Sequence, residues 1–79
     1  MHERLLTFEI AKDGSTLEIH GDDVGLKFLA DSVLRVIKTR QHDHLMTASW
    51  GGNELSCEAQ GAETSLVNQV KIFVWPPTK

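Results

Sequence analysis

The sequence predicts an α+β domain of two layers: a five-stranded antiparallel sheet with one helix packed on one face, in the order strand, strand, helix, strand, strand, strand. Three observations predict it. Leu6, Phe8 and Ile10 alternate with Thr7 and Glu9, an Asp13-Gly14 pair interrupts, and Leu17 and Ile19 then alternate with Glu18 and His20. Period-two patterning on both sides of an Asp-Gly pair marks a hairpin with one buried face. From about Asp22 to Thr39 the period changes to three and four. Beyond it, short alternating runs are separated by glycines and polar residues until Pro76-Pro77, which cannot continue a ladder.

The helix begins where Asp22-Asp23 offers a capping carboxylate and negative charge at the positive end of the helix dipole. Leu26, Leu29, Ala30, Val33 and Ile37 form the stripe expected to cover the sheet, with Leu34 and Val36 on its flanks and Lys27, Asp31, Arg35 and Lys38 opposite. Asp31 and Arg35 are spaced for an i,i+4 ion pair. Gly25 is expected to weaken the first turn by up to about 1 kcal/mol relative to alanine. Lys38 and Arg40 suit the C-terminal end.

Three more strands are expected over residues 44–49, 54–60 and 68–75. In the second, Leu55, Cys57 and Ala59 alternate with Glu54, Ser56, Glu58 and Gln60, which places the cysteine in the core. Trp50-Gly51-Gly52-Asn53 becomes the turn of a second hairpin, and residues 61–65 a polar loop. The first strand is expected to lie between the second and the C-terminal meander. The sheet face away from the helix is then uncovered, with Phe73, Trp75 and Leu5 on it.

At 79 residues the chain is read as one domain that buries about 60–65% of the surface its unfolded form exposes. Its one cysteine excludes an internal disulfide and fits a reducing compartment. With no secretory signal pattern and no run near the roughly 20 apolar residues of a membrane span, a cytoplasmic protein without membrane association is expected. A formal net charge of −3 argues against nucleic-acid phosphates as partners and suits a basic protein.

Chemistry, if present, belongs in the stretch from Gln41 to Ser56. His42 and His44 share a strand face while Asp43 points to the other, so two imidazoles are available to a metal and His20 or Glu54 would have to complete the set. A small metal-binding domain or metal-dependent enzyme using His42 and His44 is one alternative. No cofactor is required by any motif. Ser49 and Ser56 stand in no nucleophile elbow or phosphate loop, and Cys57 points into the expected core, so no catalytic set forms and a non-enzyme is expected. Trp50 either caps the core edge or stands exposed. Trp50, Phe73 and Trp75 group as aromatics do at interfaces, covered by a partner or, in a homodimeric scaffold, by a second copy.

The run from His42 through His44-Leu45-Met46-Thr47 to Trp50-Gly51-Gly52 and Glu54-Leu55-Ser56, preceded by Leu17-Glu18-Ile19-His20-Gly21-Asp22 and Gly25-Leu26, resembles the immunity protein 32 family of bacterial polymorphic-toxin systems. The resemblance covers about Leu17 to Trp75. It implies a small cytoplasmic antidote that is not an enzyme and blocks a cognate toxin domain by binding it. Joined to the residue pattern, it makes His42, Asp43, His44, Trp50, Glu54, Phe73 and Trp75 the expected partner-binding residues, with Asp43 and Glu54 available to basic groups of a nuclease toxin.

Overall fold

The computed structural model describes residues 4–77. The elements follow as β1 (Leu6–Ala11), β2 (Leu17–Gly21), α1 (Asp23–Thr39), β3 (Asp43–Met46), a single 3-10 turn (Ala48–Trp50), β4 (Thr64–Leu66) and β5 (Gln69–Ile72). The α+β class holds, but the strands form a three-stranded sheet, β2-β1-β4, and a two-stranded one, β3-β5, instead of one five-stranded sheet. All pairings are antiparallel, and β1 lies between β2 and the C-terminal part of the chain as its pattern requires.

The split has a local cause. β4 and β5 are nearly one strand, bent at Val67-Asn68, where the Val67 N–H donates to Phe8 O (2.8 Å) and the Asn68 carbonyl accepts from the Thr47 N–H (3.0 Å). The strand therefore leaves β1 as it joins β3. Residues 54–56 fill the gap: Ser56 N–H donates to Leu6 O, the Ser56 hydroxyl accepts from Leu6 N–H, and the N–H groups of Glu54 and Leu55 donate to Met46 O. Leu55 drops into the core with Leu6, Phe8 and Leu45.

This arrangement replaces the strand expected over residues 54–60. Cys57 is exposed, not buried, because the segment's backbone groups are engaged by β1, β3 and one side chain instead of a ladder. The strand expected over 44–49 stops at Met46 and turns through the 3-10 segment into Gly51, whose φ of +91° favours glycine. The last strand ends at Ile72 instead of reaching Trp75.

The helix has its expected bounds, with Asp22 Oδ1 accepting from the Gly25 N–H (2.7 Å) as N-cap. Its rotation differs. The fully buried positions are Gly25, Ser32 and Val36, with Phe28 and Leu29 half-buried against the core, while Leu26, Ala30, Val33 and Ile37 stay exposed. Small residues decide this. Gly25 lies so close to the Leu5 carbonyl that a Cβ would overlap it, and the Ser32 hydroxyl is satisfied within the helix by Phe28 O. The ion pairs differ accordingly: Lys27 reaches Asp31 (3.3 Å), and Arg35 reaches Asp43 (2.8 Å) instead of Asp31.

The sheet face away from the helix, expected to be open, is closed over β1 by residues 57–63. Glu9 lies beneath them with no solvent exposure. One carboxylate oxygen accepts from the Gly61 N–H (2.9 Å) and the Thr64 hydroxyl (2.6 Å), the other from the Gln60 N–H (2.8 Å) and the Thr7 hydroxyl (2.5 Å). Burial alone would push this carboxyl up, yet the hydrogen bonds from Thr64, Thr7, Gln60 and Gly61 outweigh it and hold the pKa at about 2.

Two outcomes follow for stability. Because the folded pKa is depressed, the carboxylate's contribution is complete above the ordinary value of 4.5 and is lost as pH falls toward about 2. Glu9→Gln turns an NH2 toward donors and is expected to lower stability by about 2 kcal/mol at neutral pH. Urea titrations at a series of pH values should show the gap between wild type and variant closing through that acid window. Gly25→Ala, which improves intrinsic helix propensity, is expected instead to cost about 1–3 kcal/mol through overpacking against Leu5, read from the urea midpoint.

Candidate protein-binding site

In the β3-β5 pair, His44 stands opposite Lys71 and Met46 opposite Gln69. Alternation puts His42 and Phe73 next on the same side, beyond the ends of the two strands. The His42 ring stacks on Phe73 with centroids 5.4 Å apart and planes 20° from parallel, and lies 4.9 Å from the His44 ring. The Gln69 amide reaches the Met46 sulfur at 3.3 Å. Leu45 and Val70 point the other way, into or against the core. The result is an outward face carrying two imidazoles, an ammonium, a thioether and an aromatic ring. Phe73 is 57% exposed, and Trp75, beyond the end of β5, is 78% exposed.

The remaining expected site residues are placed differently. Trp50 closes the 3-10 turn and is 57% exposed, which decides between its two sequence readings in favour of exposure. Asp43 faces away from His42 and His44, paired to Arg35, and its Oδ1 accepts from the His44 N–H at 2.8 Å. Glu54 Oε1 accepts from the Met46 N–H at 3.0 Å and so ties residues 54–56 to the end of β3. The structure thus brings His42, His44 and Phe73 into one contact group, while Asp43 and Glu54 each hold a neighbouring element. Lys71 belongs to the same face and was visible in the sequence through its alternation with Phe73.

For catalysis, the arrangement offers little. The open cleft beside Cys57 is lined by Arg4, Asn53, Glu54, Ser56 and Glu58 among others, and no histidine among the described residues stands at its wall to pair with the thiol. His20 does not approach His42 and His44. Its Nε2 lies 2.7 Å from Glu18 and 3.9 Å from Glu9, and these three residues are the group among the described residues whose possible ligand atoms come within 4.8 Å of one another. The Glu9 oxygens already accept four protein hydrogen bonds, which leaves them poorly placed to serve a cation. No helix among the described residues is long and apolar enough to cross a membrane.

Exposure makes a direct forecast. Trp50→Ala and Trp75→Ala are expected to change folding stability by no more than about 0.5 kcal/mol, as surface substitutions do; urea denaturation followed by far-UV circular dichroism checks it.

Comparison with curated proteins and with solved structures finds no match. Comparison with protein families does: the model for Immunity protein 32 matches residues 16–70, more than half of the chain and all of it from the hairpin turn to the middle of β5. With β2, the helix and the His42 to Ser56 stretch all inside that match, the chain belongs to the immunity protein 32 family.

Proposed function

We propose that this protein neutralises a cognate toxin of a bacterial polymorphic or contact-dependent system by binding it directly, in the cytoplasm, without catalysing a reaction. The observation that carries the proposal is the outward face of β3 and β5, where His42, His44 and Phe73 lie in contact, with Trp75 exposed two residues further along the chain, all in a chain of an immunity family. Rigid aromatic side chains that are already exposed lose little entropy on docking and are the usual anchors of protein interfaces. Trp50 is offered from the adjoining turn. Asp43 and Glu54, held by Arg35 and Met46, serve at the margin as fixed acids toward basic groups of a toxin.

The test is co-expression with the toxin encoded beside the protein, followed by calorimetry on the purified pair. Protection from the toxin and a stoichiometric complex are expected, and Phe73→Ala and Trp75→Ala should each weaken binding by about 2 kcal/mol or more without loss of folding. Unimpeded toxicity together with no measurable heat of binding would remove the proposal.

A further inference from the structure

A second group of exposed apolar side chains lies away from the aromatic face, along the edge of β2 that pairs with no other strand among the described residues. On the helix side of that strand Leu17 and Ile19 are 54% and 45% exposed. Beside them runs the helix stripe that the rotation of α1 leaves outside: Leu26, 44% exposed and close against Gly21, then Ala30, Val33 and Ile37 on the same side by helical spacing. No charge interrupts this stripe. An open strand edge flanked by apolar side chains is a template for pairing, which natural proteins ordinarily blunt with lysine, proline or a bulge. β2 has none of these.

Backbone parity defines what fits. Ala11 N–H donates to Thr16 O (2.9 Å) and Asp22 N–H to Leu5 O (3.2 Å), so β2 is bonded to β1 through its even-numbered residues. The N–H and C=O groups of Leu17, Ile19 and Gly21 therefore point outward from the sheet. A second β2, run antiparallel and centred on Ile19, places Ile19 opposite Ile19 and Leu17 opposite Gly21, and every one of those outward groups finds a partner. The same register sets Glu18 opposite His20, twice by symmetry, at the non-hydrogen-bonded positions where cross-strand side chains come closest, so the Glu18–His20 contact already made within each strand (2.7 Å) is repeated across the seam. A one-residue slip would lose both matches.

From this complementarity of side-chain pairing and backbone hydrogen bonding we infer that the β2 edge is a self-association site, through which two copies join their three-stranded sheets into one of six strands with the Leu26–Val33–Ile37 stripes meeting across the two-fold axis. The interface is isologous, closes on itself and blunts the exposed edge. It leaves the β3-β5 face free, and it holds or fails independently of the toxin proposal.

Sedimentation equilibrium on the whole chain, with amide exchange at rising protein concentration, tests it. A dimer is expected, with the Leu17, Ile19 and Gly21 amides gaining protection as concentration rises while the Glu18 and His20 amides, bonded to β1, do not. Ile19→Lys puts a charge on an already exposed position, so the monomer should stay folded while the dimer weakens by about tenfold or more. Glu18→Lys alone should weaken it through the lost cross-strand pair, and the Glu18→Lys/His20→Glu double variant should recover most of the loss. A chain that remains monomeric up to about 0.5 mM overturns the inference. So does a dimer indifferent to Ile19→Lys but abolished by Phe73→Ala, which would place the contact on the aromatic face.

Discussion

Glu9 is a carboxylate without access to solvent, and the rest of the molecule is arranged to keep it charged. Four donors from three parts of the chain converge on its two oxygens: Thr7 beside it on β1, Gln60 and Gly61 from the loop, and Thr64 at the start of β4. A buried charge with fewer partners would be costly, whereas one that accepts several hydrogen bonds orders every group that donates to it. That is how residues 57–63, which contain no helix or strand, come to lie over β1 as a defined lid. In a chain of this size, with one cysteine and a small apolar core, such a polar knot takes over a role that a larger protein would give to hydrophobic packing.

The opposite layer follows a complementary rule, close approach through small residues. Gly25 and Ser32 let the helix settle on Leu5 and the core, and Val36 fills the space at its far end. With Gly25 and Ser32 at the points of closest approach and Phe28, Leu29 and Val36 beside them, Leu26, Val33 and Ile37 are left exposed on the side of β2. The two layers together thus separate the surface into a β3-β5 face built of rings and polar atoms and a β2 edge built of aliphatic side chains and open backbone.

How much of this was legible depended on whether the signal was periodic. The first hairpin, the helix bounds and its Asp22 cap were readable, since alternation around Asp13-Gly14 and three-four spacing are properties of neighbours in sequence. So was the family, from the His42 to Ser56 run. The helix rotation was not, because the Leu26 stripe is the most hydrophobic side but Gly25 and Ser32 allow the closest contact, and hydrophobicity alone does not see distance. Residues 54–60 alternated as a strand would, yet their backbone was claimed by Glu9, Leu6 and Met46, partners remote in sequence. For the candidate site, the pairing of His42 with His44 on one face followed from strand geometry. The engagement of Asp43 by Arg35 depended on how the helix sits over β3, which no local pattern encodes.

The position of β1 has a consequence for how the chain acquires its structure. It is the earliest strand, and its hairpin with β2 can close as soon as both are made, but its other edge waits for Ser56 and for Thr64 to Val67, and its polar face for Gln60 and Gly61. Contacts between residues so far apart are slow to form, and during synthesis they cannot form at all until the later segment has emerged. Until then Glu9 can face water as an ordinary solvated glutamate at no cost, so the side chain on which the finished molecule most depends is also one that the unfinished molecule can tolerate without its partners.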